Sequence, residues 1–75
     1  MLRLTVERKK RGWSQAELAR RTGLHPSLIS NLEAGRAHPW PKYRRVLAKV
    51  LQVKAELLFQ PVEVVDDENS GRTAQ

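Results

Sequence analysis

Gln15-Ala-Glu-Leu-Ala-Arg-Arg-Thr-Gly-Leu-His-Pro-Ser-Leu-Ile-Ser-Asn-Leu-Glu33 is the most informative stretch of this 75-residue chain, because its pattern predicts two short helices joined by a sharp turn. Ser14 and Glu17 form a capping box, in which a serine hydroxyl accepts from the free N–H three residues on. Gly23 predicts the end of the first of these helices, since a left-handed residue costs glycine nothing. Pro26 suits the first position of the second, where an N–H would have no partner.

The second helix of the pair has an apolar side and a polar side. Ile29 and Leu32 predict the apolar seam, and Ser27, Ser30 and Asn31 fall on the other side. Those three side chains are short, polar and uncharged, so they can approach base edges without bulk and exchange hydrogen bonds with them. The pair is therefore predicted to be a helix-turn-helix whose second helix enters the major groove of DNA.

The order and spacing of these residues resemble the phage-repressor family of Cro/XRE-type helix-turn-helix DNA-binding proteins. The matching residues are Ser14, Gln15, Glu17, Leu18, Ala19, Gly23, Leu24, Ser27, Ile29, Ser30, Leu32, Glu33, Gly35 and Pro39. The resemblance implies an all-α fold, a compact five-helix repressor-like DNA-binding domain, over residues 1–60. Residues 61–75 are then expected to form an acidic, flexible C-terminal tail, because they are polar from Asp66 onward and lack core residues.

Charge is distributed unevenly along the chain. Residues 1–60 carry 13 Lys and Arg against four Asp and Glu, a net charge of +9, whereas residues 61–75 carry one against four, a net charge of −3. A strongly basic domain fits a polyanionic partner such as nucleic acid or an acidic membrane surface. The apolar residues are expected to be committed to a core, so double-stranded DNA is the expected partner and a membrane is not.

Composition excludes several other classes of protein. The chain has no cysteine, so disulfides and cysteine-bound zinc are excluded, and no apolar run approaches the roughly 20 residues of a membrane span. The expected location is the cytoplasm. No carboxylate pair, Ser/His/Asp set or Gly-rich phosphate loop indicates an enzyme, and no cofactor is expected. His25 and His38, alone and without cysteine, make a poor metal site.

The family resemblance also assigns roles to individual residues. The residues expected to read bases are Pro26, Ser27 and Asn31, with asparagine able to pair with adenine through two hydrogen bonds. The residues expected to contact phosphates are Arg8, Gln15, His25, Ser30, Arg36, Lys42 and Arg44. Arg8 has a second expected role, an ion pair with Glu33 that holds the first helix against the end of the recognition helix.

Both ends of the domain leave alternatives open. Leu2, Leu4 and Val6 alternate with polar residues as a strand does, although the charged run that follows favours a helix. A short strand leading into the first helix is predicted. The family resemblance implies that exposed apolar residues of the fifth helix form a dimer seam, and the alternative is that residues 59–65 extend and pair with residues 2–6. Glu7 stands where relatives carry an apolar residue.

Three further apolar positions complete the predicted core. Leu57 in the fifth helix is expected to be buried, which leaves Leu58 or Phe59 partly outside. Trp13 is expected to pack over the second helix. Trp40 could either cover the core or touch the DNA backbone, and the core role is favoured.

Two functions follow from the sequence. The first is a sequence-specific double-stranded DNA-binding transcriptional regulator, acting as a repressor, that inserts helix 26–33 into the major groove and forms a homodimer through the fifth helix and the following residues. The alternative is an antitoxin or another protein-interaction module on the same fold, with DNA binding secondary.

Overall fold

Five helices make up the fold over residues 1–62. The computed structural model describes residues 1–62, so most of the expected acidic tail lies outside the described residues. The helices are α1 (Arg3–Lys10), α2 (Gln15–Thr22), α3 (Pro26–Glu33), α4 (Pro41–Leu51) and α5 (Ala55–Leu58). The predicted all-α, five-helix class is confirmed. No helix within residues 1–62 is both long enough and apolar enough to cross a membrane.

Every helix contributes a side chain to one apolar core. α2 packs against α3 and α4, and α5 packs against α4 and α1. The core consists of Leu4, Leu18, Ala19, Ile29, Leu32, Leu47, Leu51 and Leu58. Burial of such side chains drives folding by about 25 cal/mol per Å² of apolar surface. Because α2 and α3 bury their apolar sides here, the polar side of α3 is left on the surface.

The caps of the helix pair follow the sequence pattern closely. The Ser14 hydroxyl accepts a hydrogen bond from the backbone N–H of Glu17 at 3.0 Å. Gly23 ends α2 with φ at 75°, a left-handed conformation that L side chains rarely adopt. Pro26 takes the first position of α3. The turn that aims α3 is therefore fixed by local chemistry.

Loss of the Ser14 cap should destabilise the domain measurably. We expect Ser14→Ala to lower the free energy of unfolding by about 1 kcal/mol, because the N–H of Glu17 loses its acceptor. Ser14→Asp is the matched control, since its carboxylate can accept the same bond. Urea unfolding measures both, and an equal loss in the two variants would contradict the capping role.

The predicted strand before the first helix is wrong. α1 begins at Arg3, and Leu2 makes only an isolated antiparallel bridge to Pro61. The helix is favoured over the strand because it buries Leu4 in the core. It also brings Arg3 next to Glu7 one turn later, with 2.9 Å between Arg3 Nε and Glu7 Oε2. The alternative pairing of residues 59–65 with residues 2–6 is represented in the described residues by that single bridge, and residues 63–65 lie outside them.

Two predictions about apolar side chains are also wrong. Leu58, and not Leu57, is fully buried, because α5 is a four-residue helix whose orientation its sequence could not fix, while Phe59 is half-buried, as one of the two alternatives had it. Trp40 does not cover the core, since it is 56 % exposed and stacks edge-on against His38. Trp13 packs against the core as expected, with the Arg21 guanidinium 4.2 Å from its ring centroid.

Glu7 is a buried carboxylate, and its charge is compensated. Arg11 and Arg3 donate hydrogen bonds to its two carboxylate oxygens, each at 2.9 Å. The same Arg11 guanidinium also donates to the carbonyl oxygen of Leu51. Glu7 therefore joins α1 to the end of α4 through Arg11.

Acid should remove the stabilisation that Glu7 supplies. The hydrogen bonds from Arg11 and then Arg3 hold the pKa of this carboxyl below its usual value of 4.5, against the opposing effect of burial. A lowered folded-state pKa gives stability that is present above the unfolded-state pKa and is lost as pH falls through the folded-state pKa. We expect the difference in urea midpoint between the wild type and Glu7→Gln to be largest near neutral pH and to shrink in acid. A difference that is independent of pH would contradict this role.

Candidate nucleic-acid interface

The polar side of α3 faces solvent, and it is most exposed at the start of the helix. His25, Pro26 and Ser27 are exposed, and Ser30 and Asn31 are half-buried. Ile29 and Leu32 are fully buried on the opposite side. The two sides are assigned as the sequence predicted, and the polar side carries no Lys, Arg, Asp or Glu between Pro26 and Leu32.

His25 caps α3 through a ring nitrogen. Its Nδ1 accepts from the backbone N–H of Ser27 at 3.1 Å and lies 2.8 Å from the Ser27 hydroxyl oxygen. Because Nδ1 is the acceptor for the backbone N–H, it carries no proton, and the hydroxyl donates to it as well. The Ser27 oxygen is then oriented with its lone pairs free to accept from the amino group of a DNA base.

Asn31 is held by the loop that follows α3. The Arg36 Nε donates to the Asn31 Oδ1 at 3.0 Å. The backbone N–H groups of Arg36 and Ala37 donate to the Asn31 carbonyl oxygen at 2.8 Å and 3.2 Å. This arrangement directs the amide oxygen toward the Arg36 side chain. No acceptor within residues 1–62 engages the Asn31 Nδ2, so its two N–H groups can donate outward.

A buried polar cluster joins the first three helices behind this surface. The Arg8 guanidinium donates to both carboxylate oxygens of Glu33, at 2.7 Å and 3.0 Å, and to the carbonyl oxygen of Trp13 at 2.8 Å. The Gln15 Nε2 donates to Glu33 at 3.0 Å. The Arg8 and Glu33 side chains are only 10 % and 7 % exposed. Glu33 is thus the common acceptor for α1 and α2.

This geometry bears on two of the residues expected to contact phosphate. Arg8 uses donors on all three guanidinium nitrogens inside the protein, so it fits its structural role better than its phosphate role. Gln15 commits one amide N–H to Glu33 and keeps the other for an outside acceptor. Its position at the start of α2 also offers backbone N–H groups to an anion.

Three further residues expected to contact phosphate, Arg36, Lys42 and Arg44, follow α3 in the chain. Arg36 and Lys42 are exposed and Arg44 is half-buried. None of them has a carboxylate oxygen within 4.0 Å in the part of the chain that the structure describes. Cations without internal partners are available to phosphates. Arg20 and Arg21 differ, because both pair with Glu17 on α2.

Lys9 lies beside this surface and was not among the candidate residues. It lines an open hollow together with Gln15, Ser30 and Met1, and its side chain is exposed. In the sequence, Lys9 belongs to the charged run at residues 8–11, and such a run fits a helix side that faces only solvent as well as one that contacts DNA. Its position next to Arg8 was the only available signal. Among residues 1–62, no three His, Asp or Glu side chains converge to hold a metal ion.

A family model described as helix-turn-helix, of the Cro/XRE type, matches residues 6–58, from within α1 to the end of α5. The chain belongs to this helix-turn-helix family. The match covers the whole capped helix pair and both partners of the Arg8–Glu33 ion pair. Neither the search of curated proteins nor the search of solved structures returned a match.

Membership in this family indicates which surface of the protein to examine for DNA binding. The helix-turn-helix family consists of DNA-binding regulators that are typically not enzymes. α2 and α3 are the helix pair that gives the family its description, and α1, α4 and α5 enclose their apolar sides. The exposed polar side of α3 is accordingly the candidate surface for DNA.

Proposed function

We propose that this helix-turn-helix protein is a sequence-specific double-stranded DNA-binding transcriptional regulator, acting as a repressor in the cytoplasm, and that α3 enters the major groove. One observation supports it most: α3 has a side of short, uncharged polar residues that is exposed at its start, and Arg36, which contacts that side, has no carboxylate partner in residues 1–62. Uncharged side chains can discriminate bases, while cations bind the backbone.

Base reading falls to Pro26, Ser27 and Asn31. Ser27 and Pro26 stand at the exposed start of α3, where a proline ring can contact a thymine methyl group. Asn31, one turn later, can donate through Nδ2 to a purine N7, and its Oδ1 keeps a second lone pair for an adenine amino group. The hydrogen bond from Arg36 to Oδ1 fixes the orientation of the amide and leaves Nδ2 to donate outward.

Phosphate contacts set the register of the domain on the duplex. We assign them to Gln15, His25, Ser30, Arg36, Lys42 and Arg44. Arg8 is left out of this group because its guanidinium is enclosed by Glu33 and the Trp13 carbonyl. Arg36 has two roles, since it also contacts Asn31. Its substitution should therefore alter base preference as well as overall affinity.

Lys42→Gln should weaken binding to all sequences alike. Lys42 is exposed at the start of α4, and its ammonium group contacts the Tyr43 ring and no carboxylate within residues 1–62. Loss of one phosphate contact should reduce the slope of log K against log salt by about 1. Titrations of a preferred and an unrelated duplex over a salt series measure this. A change confined to the preferred duplex would contradict a backbone role.

Selection of bound duplexes from a random DNA pool, at fixed near-physiological salt with competitor DNA, tests the proposed function. Enrichment of one sequence motif is expected. Binding that enriches nothing and disappears steeply as salt rises would reduce the function to backbone attraction. A stable protein partner in the absence of any preferred DNA would favour the interaction-module alternative.

We also propose a homodimer that forms through α5 and the residues after it. Leu57, Phe59 and Val62 are half-buried apolar residues around the end of α5, and a second copy could cover them. A two-fold dimer binds two inverted half-sites about one helical turn apart. An inverted repeat among the selected duplexes, with a dimer mass in sedimentation, is expected. A single half-site bound by a monomer would reject the dimer.

A further inference from the structure

The described chain ends beside the hollow that contains Lys9. The backbone N–H of Val62 donates to the carbonyl oxygen of Met1 at 2.7 Å, and that of Arg3 donates to the Gln60 carbonyl oxygen at 3.0 Å. Met1 in turn lines the hollow with Lys9, and Gln15 and Ser30 line it as well. The last described residue, Val62, is therefore hydrogen-bonded to a residue of the surface that includes Gln15 and Ser30, two of the proposed phosphate contacts.

The sequence that starts at this point is acidic. Residues 63–68 read Glu-Val-Val-Asp-Asp-Glu, with four carboxylates in six positions. An extended chain covers at most about 3.3–3.6 Å per residue, so even Glu68 stays within about 20 Å of Val62. The tether alone keeps the carboxylates at a high effective concentration near the hollow.

The hollow has the complementary charge to receive them. Lys9 is exposed and has no carboxylate oxygen within 4.0 Å in the described part of the chain. The one carboxylate that lines the hollow, Glu33, is engaged by Arg8 and Gln15. The outer N–H of Gln15 and the Ser30 hydroxyl can donate to a carboxylate as readily as to a phosphate.

We propose that acidic segment 63–68 binds to the hollow at Lys9, Gln15 and Ser30 and competes there with the DNA backbone. The binding itself is independent of the proposed function, whereas the competition rests on it. A carboxylate and a phosphate oxygen need the same donors, so the hollow can serve only one of them at a time. The segment thereby weakens DNA binding most at low salt, where charge attraction is least screened.

Binding of the segment can be measured without DNA. The variant is the full chain with a neutralised segment, carrying Glu63→Gln, Asp66→Asn, Asp67→Asn and Glu68→Gln. We expect its amide NMR shifts to differ from the wild type chiefly at residues 9, 15 and 30, and the difference to fade as salt is added. Small shifts spread evenly over all exposed cations, or none at all, would overturn the proposal.

Competition with DNA is tested by double-mutant cycles on a random-sequence duplex at low salt. Neutralising the segment should raise affinity by about threefold to tenfold, the effect of one or two exposed ion pairs. The gain should shrink markedly in a Lys9→Gln background and stay unchanged in the matched Lys49→Gln background, because Lys49 is an exposed cation of α4 outside the hollow.

Equal coupling to Lys9 and Lys49 would overturn the proposal in favour of a general charge effect. If no duplex binds at all, the proposed function fails, and the shift measurement still decides whether the segment occupies the hollow.

Discussion

Glu33→Ala is expected to lower the free energy of unfolding by about 3 kcal/mol or more, the usual loss when one partner of a buried ion pair is removed. Glu33 accepts from the Arg8 guanidinium twice and from the Gln15 amide once, and both charged side chains are at most 10 % exposed. Without it, Arg8 keeps a buried positive charge with only the Trp13 carbonyl as acceptor. Urea unfolding with a single probe of helix content measures the loss.

The matched control is Glu17→Ala, which removes a carboxylate that pairs with Arg20 and Arg21 on the surface of α2. Exposed pairs contribute little to stability, so its urea midpoint should stay near that of the wild type. A second variant carries Arg8→Met together with Glu33→Leu, which replaces the pair by apolar side chains and should recover much of the loss. If Glu33→Ala unfolds at the same urea concentration as Glu17→Ala, the buried cluster does not hold the three helices together.

Asn31→Ala should weaken binding to the preferred duplex by about 1–3 kcal/mol and remove the preference at one base pair. The expected cause is the loss of the outward Nδ2 donor that Arg36 orients through the Asn31 Oδ1. Binding to unrelated duplexes should change little, because the substitution removes no cationic side chain. Competition titrations with the preferred site and single-base variants of it measure the effect.

Lys42→Gln is the natural comparison for Asn31→Ala. It should weaken binding to every duplex by the same factor and leave the base preferences unchanged. Asn31→Ala should instead weaken binding chiefly to the preferred duplex and remove the preference at one base pair. The division between base readers and backbone contacts is wrong if the two variants give the same pattern of losses across sequences. The stability of both proteins should stay close to the wild type, since neither residue lies in the core.

Local signals in the sequence were sufficient for the helix pair. Ser14, Gly23 and Pro26 each act on the backbone within three residues, so their effect on helix ends can be predicted without knowing the rest of the fold. The spacing of Ile29 and Leu32 likewise predicted the buried side of α3. The family resemblance added the Arg8–Glu33 pair, which spans 25 positions and which no local rule could predict.

The features that the sequence could not predict depend on side chains from different elements meeting. The Gln15–Glu33 hydrogen bond spans 18 positions, and the Arg36–Asn31 bond depends on how the loop turns back over α3. The position of α5 in the sequence was predicted correctly, but its buried leucine was not. In a helix of four residues, the packing against α4 and α1 decides which leucine is buried. The exposed Trp40 departs from the general tendency of aromatic side chains to be buried.

The central claim, that α3 reads bases in the major groove, is tested most directly by combining modified bases in the DNA with a substitution at Asn31 in the protein. In the selected site, each purine is replaced in turn by its 7-deaza form, which lacks the major-groove N7 acceptor and keeps the base pair intact. We expect one such replacement to weaken the wild-type protein markedly and to have no further effect on Asn31→Ala. Wild-type binding that is indifferent to every replacement would contradict major-groove reading by Asn31.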